Sequence, residues 1–489
     1  MKTNRRSFLQ LAGVAGAGML SGGLSSCISN DKKELSAPLA GILEAAKREH
    51  SQLFNMSGYT APKIDVVRIG IIGLGMRGPG AVERMANIDG VEIKALCDTR
   101  LERVDKAQEI LADHGLPPAK AYGGNNDAWK ELCQSNELDL VYICTPWEMH
   151  TPMAVYAMEN GKHAASEVPA ATSLEQAWQL VETSERTKKH CMMLENCCYD
   201  FFELLTLNMA RQGFFGELVH VEGAYIHNLL ELNFSKDAYT DMWRLKENQH
   251  RNGNIYPTHG LGPVCQAFDI NRGDRMDYLT SMSGNDFLMA KTAAELAKTD
   301  PFYTEFVTSG YRGNMNTTAV RTEKGKTIMV QHDTSSPRPY SRIHLISGTK
   351  GMACKYPEPG RIATADEWLD PIKMEEIQKQ YEPEIVKRIG VIAKEIGGHG
   401  GMDFLMDWRL IDCLRNGLPL DLDVYDAALW SSIAPLSEWS VANRSNSIQI
   451  PDFTCGSYKL NIPVDINLKH GGNTKIRANV KKGEKQLKV

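Results

Sequence analysis

Beyond its first 27 residues the chain has no run of the about 20 apolar residues needed to cross a bilayer, so the remainder reads as a body that does not span a membrane. It also lacks any CxxC pair with metal spacing. Its eleven cysteines are scattered, and Cys97, Cys144, Cys265 and Cys413 sit inside apolar runs. Neither a disulfide framework nor a zinc site organises such a chain, and no metal is expected. There is no excess of positive charge: the formal net charge is −5, and −8 once the three basic residues of positions 1–27 are set aside, which argues against nucleic acid as a partner. No repeat or low-complexity segment interrupts the pattern. What remains is an ordinary globular composition, 42% hydrophobic and 24% charged over 489 residues, long enough for two packed domains.

Residues 1–27 carry Lys2, Arg5 and Arg6 but no acid, then an apolar stretch over 8–20 and small residues up to Cys27. This is the pattern of an export signal. Asn4-Arg5-Arg6-Ser7-Phe8-Leu9-Gln10 resembles a twin-arginine signal, whose route carries folded proteins with cofactor loaded, and Leu24-Ser25-Ser26-Cys27 resembles a lipoprotein box. The expected product is periplasmic, either tethered to a membrane by lipid at Cys27 or freed by plain cleavage. Residues 28–62 form a polar lead-in with helical spacing over 39–50. Residues 461–489 form a C-terminal tail, and its stretch 469–489, basic at Lys481, Lys482, Lys485 and Lys488, reads as a solvated or frayed end.

The strongest pattern is Gly73-Leu74-Gly75-Met76-Arg77-Gly78, directly after the apolar run 66–72 and directly before a helical run over 78–86. In a strand–turn–helix of this kind the first glycine permits the tight bend and the second lets the backbone approach a pyrophosphate. The third lets the helix pack close to the strand, and the helix N-terminus offers free N–H groups to the anion. A second apolar run, 91–97, ends at Asp98, where a carboxylate meets ribose hydroxyls and repels the 2′-phosphate of NADP. NAD is the expected cofactor, with Arg100 moderating the preference. Helices near 100–114 and 173–188 and strands at 138–144, 163–166 and 191–195 continue the alternation, predicting an α/β fold with a Rossmann doubly wound parallel sheet over 63–198. From 199 to 460, a helix near 201–212 and alternating strands at 218–225, 316–321 and 327–332 predict an α+β domain with a large, mostly antiparallel open sheet. Amphipathic helices near 402–416 and 424–443 would cover it. Ligands of open α/β sheets sit beyond the carboxyl ends of the strands, so Trp147, His150, Glu167 and Asn196 fall along one crevice.

With Thr145-Pro146, His150 and the strand leading to Glu167-Val168-Pro169, this layout resembles the Gfo/Idh/MocA family of NAD(P)-dependent enzymes. In the ordinary sugar dehydrogenases of that family the motif is Glu-Lys-Pro, with the lysine close to the reacting hydroxyl; Val168 stands in its place here. The later acid–base histidine is retained as His259, but its segment carries Tyr256 and no aspartate. Both departures are similar to a narrower branch, glycoside hydrolase family 109, described as α-N-acetylgalactosaminidases. The blocks that carry this likeness are Gly75-Met76-Arg77-Gly78, Trp147-Glu148-Met149-His150, Glu167-Val168-Pro169, Glu195-Asn196-Cys197-Cys198-Tyr199, Tyr256-Pro257-Thr258-His259 and Ser336-Pro337-Arg338-Pro339-Tyr340. The resemblance implies cofactor contacts from Met76, Arg77, Asp98, Trp147, Glu148, Met149, His150, Glu167, Val168, Asn196 and Tyr256, beside Gly73 and Gly75. It implies substrate contacts from Tyr225, Arg244, Tyr256, Pro257, Thr258, His259 and Tyr340, and a terminal N-acetylhexosaminide as substrate. In the resembling family the open sheet commonly serves as a dimer face, so a homo-oligomer is among the expected partners.

A direct glycosidase needs two carboxylates flanking the anomeric centre. Bound NAD opens another course. C3 of the sugar gives up a hydride while its hydroxyl gives up a proton, the C2–H beside the new ketone becomes acidic, the enolate expels the C1 substituent, water adds to the enone, and hydride and proton return to C3 and its oxygen; the net reaction is hydrolysis. His259 is expected as general base, since imidazole titrates nearest neutrality. Tyr256 and Tyr340 share proton transfer, as donors or, with lowered pKa, as bases. Arg244 either orients a hydroxyl or acetamido oxygen or is a surface cation beside Trp243. Asp403 and Asp407 read as a helix N-terminal charge and a solvated partner for arginine, and Glu195 as a support behind the site. Two further readings stay open: a net sugar oxidoreductase, which Val168 argues against, and a sugar-binding protein with structural NAD, which the histidine and tyrosines argue against.

Overall fold

The computed structural model describes Leu39 and residues 41–477. The expected export signal, Cys27 and the tail lysines from 481 onward lie outside the described residues. Among the described residues no helix is long and apolar enough to cross a membrane.

Six strands, β1 (Val67–Ile72), β2 (Val91–Asp98), β3 (Lys120–Gly123), β4 (Leu140–Ile143), β5 (His163–Ser166) and β6 (Cys191–Met193), form a parallel sheet in the order β3-β2-β1-β4-β5-β6. The chain reverses its winding between β1 and β4, which opens a crevice at the carboxyl ends of those strands. In β1 only Arg68 is not fully buried. Helices seal both faces of such a strand, so it needs a continuous apolar run rather than alternation. Helices Gly78–Ala86, Leu101–Asp113, His150–Glu159 and Leu174–Thr187 provide the cover.

The second sheet holds nine strands: β7 (Leu218–Ile226), β8 (Met276–Ser283), β9 (Asn316–Thr322), β10 (Thr327–Asp333), β11 (Leu345–Gly348), β12 (Gly351–Cys354), β13 (Arg361–Thr364), β14 (Glu367–Trp368) and β15 (Ile448–Gln449). Their order is β14-β13-β12-β11-β7-β10-β9-β8-β15. Every pairing is antiparallel except β7 with β10, which run parallel.

Three expectations need correction. The helices Met402–Asn416 and Val424–Ala442 are not amphipathic covers: Met402 through Leu414 is buried without a break, and so is Val424 through Ser437. The second packs on Leu174–Thr187, on β6 of the first sheet and on β8 of the second, and the first packs on Gly78–Ala86, on β1 and on the helix Glu384–Ile396, so charges on them must be paired internally. The lead-in helix is only Ile42–Ala46, because the chain then turns to set Arg48 and His50 against Glu182. Of the stretch read as a solvated or frayed end, residues 469–477 are tied to the body. Arg477 N–H donates to Asn87 O at 2.7 Å, Asp89 N–H to Lys475 O at 2.9 Å, and Trp408 Nε1–H to Thr474 O at 2.9 Å.

Candidate functional site

The turn after β1 is closed by two glycines. Gly73 has φ +88°, and a Cβ there would lie 2.7 Å from the Cys144 carbonyl carbon; a Cβ on Gly78 would lie 2.1 Å from the Gly73 oxygen. At Gly75 a Cβ would meet only the Arg103 guanidinium, at 3.4 Å, so its backbone stays approachable. Asp98 ends β2 with its carboxylate accepting from Leu74 N–H at 2.7 Å and Arg100 N–H at 2.9 Å. A glycine cradle at a helix N-terminus with a carboxylate at the end of the next strand fits an NAD molecule.

A cleft of about 1300 Å³ runs from Gly73, Gly75 and Asp98 past Trp147, Glu167 and Val168 to Tyr225, Arg244, Tyr256 and His259. That exceeds the about 300–1,000 Å³ of an ordinary small-molecule pocket and leaves room for a dinucleotide and a sugar side by side. All the residues expected to contact cofactor line it, Met76, Arg77, Glu148, Met149, His150 and Asn196 included. His150 does so without free nitrogens: they face Pro169 O at 2.7 Å and Thr145 O at 2.8 Å, tying together the loops after β4 and β5. Pro257 and Thr258 lie behind the cleft wall. Tyr340 does not line the cleft but lies beside it, 37% exposed, its ring 5.0 Å from His227, which does, and its phenol oxygen accepting from Arg342 Nη1 at 3.1 Å.

His259 owes its place to two glycines. The helix Thr258–Ala267 lies backbone to backbone on β7, where a Cβ on Gly223 would come within 2.1 Å of Gly260 O and one on Gly260 within 2.2 Å of Ala224 N. This contact sets the His259 ring 5.3 Å from Tyr225 and 5.0 Å from Tyr256. His259 Nδ1–H donates to Glu195 Oε1 at 2.7 Å, and Nε2 lies 3.4 Å from the Tyr256 hydroxyl. Burial of Glu195 would push its carboxyl up, but the pairing with His259 outweighs it and holds the carboxyl below its usual range. An ionised carboxylate only accepts, so it fixes the proton on Nδ1 and leaves Nε2 as the basic end facing the cleft. Glu195, Cys197 and His259 place possible ligand atoms within 4.8 Å of one another. Burial pushes the Cys197 thiol well up, and Glu195 is engaged with His259, so the trio acts through hydrogen bonds.

Arg244 is not a surface cation. It is buried, with its guanidinium carbon 5.0 Å from the Tyr256 ring, 5.2 Å from Tyr239, 5.3 Å from Trp147 and 6.0 Å from Tyr225. Nη1 donates to the Tyr239 hydroxyl at 3.0 Å; Nη2 has no partner, and no carboxylate pairs with Arg244 among the described residues. A buried guanidinium in that state calls for an acceptor from a ligand. Burial pushes the Tyr256 and Tyr340 phenols upward, so both act as donors near neutrality, and the lowered-pKa alternative falls.

Asp403 stands in the first turn of its helix and Asp407 meets an arginine, as read from the sequence, but both are wholly buried and Asp407 is not solvated. Asp403 accepts from Asn196 Nδ2 at 2.5 Å, His399 Nδ1 at 2.8 Å and Arg77 Nη1 at 3.2 Å, while Arg77 Nε donates to Glu167 at 2.8 Å. Burial opposes ionisation there, yet the His399 bond and the charges of Arg77 and Arg84 hold the Asp403 carboxyl well below its usual range. Asp407 accepts from Arg84 Nε at 2.6 Å and the Tyr142 hydroxyl at 2.9 Å.

Sequence reasoning missed His399, which lines the cleft with its side chain 55% exposed. It is the centre of Gly397-Gly398-His399-Gly400-Gly401, five consecutive residues of positive φ. Four glycines around one histidine were a visible signal. His227 was missed too, and nothing in its flanks marks it. Its Nδ1 shares a hydrogen bond with the Tyr225 hydroxyl at 3.1 Å, and burial with the nearby Arg244 charge pushes it down to about 4, so it is neutral at neutral pH.

Residues 67–195 match the oxidoreductase family described as NAD-binding Rossmann fold, and residues 199–460 match the C-terminal domain of glycosyl hydrolase 109. The chain is 51% identical over 417 residues to glycosyl hydrolase family 109 protein 1 of Bacteroides fragilis, covering 82% of this chain and 88% of that protein. The chain belongs to glycoside hydrolase family 109. A Bacteroides fragilis protein named alpha-N-acetylgalactosaminidase is 50% identical over 408 residues, 82% of this chain and 95% of its own. An NAD binding oxidoreductase from Klebsiella pneumoniae, 15% identical, superposes with a TM-score of 0.58 over 79% of this chain and 100% of that one, which shows the shared fold. This family 109 chain is thus a glycoside hydrolase with an NAD-binding Rossmann domain, acting on a glycan substrate.

Proposed function

We propose that the protein hydrolyses terminal α-linked N-acetylgalactosaminides by a redox-neutral course that ends with its NAD as it began. The observation that carries this reading is the single cleft joining the Gly73 turn to the His259, Tyr256 and Arg244 cluster. The 50% identity to a protein named alpha-N-acetylgalactosaminidase supports the sugar. When bound, NAD supplies the acceptor and later the donor of one hydride at the sugar C3.

The protein's own residues do the rest. His259 Nε2 takes a proton from the C3 hydroxyl or from C2, and the Glu195 carboxylate stabilises the imidazolium that forms. The Tyr256 phenol, 3.4 Å from that nitrogen, donates to the oxygen on which charge develops. Arg244 Nη2 meets the acetamido or a ring hydroxyl oxygen, and Tyr340 contacts the sugar from beside the cleft. His399, held by Asp403 on its glycine loop, is free through Nε2 to pass a proton to the departing oxygen and to take one from the incoming water. Trp147, stacked on Tyr256 at 5.3 Å, and Val168 form an apolar wall that limits water. A two-carboxylate mechanism finds less support. Asp98 is engaged with two backbone N–H groups and Glu167 with Arg77.

A self-restoring cofactor suits a periplasmic enzyme remote from a cytoplasmic NAD pool. The Arg5-Arg6 segment supports twin-arginine export and the Cys27 box supports a lipid anchor. The open face of the nine-stranded sheet, with Tyr278 and Met282 exposed, supports a homo-oligomer. The test is purified protein with 4-nitrophenyl α-N-acetylgalactosaminide and no added NAD. Repeated turnover without accumulation of NADH is expected; oxidised sugar formed in step with NADH would overturn the proposal in favour of a dehydrogenase.

A further inference from the structure

Residues 228–251 cross the cleft as a strap built from the short helix Leu230–Asn233, the turn Thr240–Met242 and the helix Trp243–His250. The strap has its own apolar anchor: Phe234, Met242 and Leu245 pack with Met289, Tyr303 and Phe306 in a cluster separate from the main core. The Tyr303 hydroxyl pins it further by donating to Phe234 O at 2.7 Å. Leu232, Tyr239, Thr240 and Trp243 face the cleft from this strap.

The opposite wall reaches back. Arg103, on the helix Leu101–Asp113, extends its guanidinium over Gly75, the glycine that faces the pyrophosphate in a dinucleotide cradle. Its Nη1 lies 3.7 Å from Asp98 Oδ2, and its Nη2 donates to Thr240 Oγ1 at 2.8 Å. One residue on, Asp241 faces Arg100 at 3.9 Å. Asp241 and Met242 both hold left-handed backbone, φ 55° and 52°, a conformation that non-glycine residues keep only when the surroundings impose it. Met242 in the strap's apolar anchor and Thr240 on Arg103 are what impose it.

We infer that Arg103 and Thr240 form a latch that closes the strap over the dinucleotide, so that NAD, once loaded, stays through successive turnovers instead of exchanging with solvent. The inference rests on the redox-neutral reading. A dehydrogenase must release reduced cofactor each cycle, whereas an enzyme that restores its own cofactor gains from a barrier to release. Arg103 supplies that barrier twice: a cation against the pyrophosphate, and a hydrogen bond that must break before the strap lifts.

The test follows nucleotide, not hydrolysis. Full-length protein is purified with its NAD, and release is timed in the presence of an NAD-consuming enzyme, with the nucleotide remaining on the protein measured by chromatography. T240V, which removes only the hydroxyl, is expected to release NAD roughly tenfold faster, the order set by one hydrogen bond. R103M is expected to release it faster still, and T240S, which keeps the hydroxyl, to match the wild type. Release from both T240V and R103M at the wild-type rate overturns the latch. A wild-type protein purified without nucleotide overturns the cofactor reading beneath it, so the two failures are told apart.

Discussion

Glu195→Gln isolates the carboxylate that orients His259. The substitution conserves volume at a wholly buried position, and an amide oxygen can still accept from His259 Nδ1–H across the 2.7 Å contact. What is lost is the negative charge beside an imidazole that must become cationic during the reaction. A hydrogen bond to a charged partner is worth about 1.5–3 kcal/mol, and about 1.4 kcal/mol corresponds to a tenfold change in rate. The neutral hydrogen bond that remains keeps about 0.5–1.5 kcal/mol of this, so E195Q is expected to lower kcat roughly 5- to 13-fold with KM and bound NAD little changed, since Glu195 lines neither end of the cleft. Steady-state kinetics on the nitrophenyl glycoside, with nucleotide content measured on the same sample, reads both quantities. A kcat within twofold of wild type at full NAD occupancy would refute the argument that Glu195 works through His259.

Three other outcomes follow from the same geometry. Gly73→Ala places a Cβ 2.7 Å from Cys144 backbone at φ +88°, so it should destabilise the protein by at least about 2 kcal/mol and strip NAD, read by melting and nucleotide content; full NAD retention would contradict it. Arg84→Met leaves the buried Asp407 carboxylate without its 2.6 Å partner and should cost about 3–5 kcal/mol in denaturant unfolding, with Asp407→Leu added to it restoring much of the loss. The Asp403 carboxyl is depressed in the fold, so its contribution is fully present above the unfolded carboxylate value of about 3.9 and is lost as pH falls through the lower folded value. Asp403→Asn should therefore be less stable at neutral pH and lose stability less steeply on acidification, and parallel acid limbs would show that His399 and Arg77 do not depend on that charge.

The nucleotide half of the fold was legible because a strand buried on both faces writes itself as an apolar run, unbroken in β4 and interrupted only by Arg68 in β1, and because the glycines around it answer to local geometry. The strands β11 to β15 were not, being only two to four residues long, with β11 and β15 paired to the distant β7 and β8. Burial set by distant packing was also illegible. Arg244 reads equally as a sugar contact or as a surface cation beside Trp243 until the rings of Trp147, Tyr225, Tyr239 and Tyr256 close on it. Asp407 reads as a solvated partner for arginine because nothing local reveals that the helices Gly78–Ala86 and Glu384–Ile396 pack on its helix. Residues 461–477 look like a polar tail until their backbone is seen bonded along Asn87 and Asp89. The glycine loop around His399 is the opposite case: its composition announced an unusual backbone, and only its position beside the cleft needed the structure.

The account stands on a hydride that leaves the sugar and comes back to it. The most direct measurement is hydrolysis of the N-acetylgalactosaminide in D2O by the purified protein with no added NAD, followed by mass and NMR analysis of the released sugar. Deuterium at C2 with full regeneration of the C3 hydroxyl is the predicted result. Sugar released at the normal rate with hydrogen retained at C2 would contradict it, because no elimination through a C3 ketone could then have taken place.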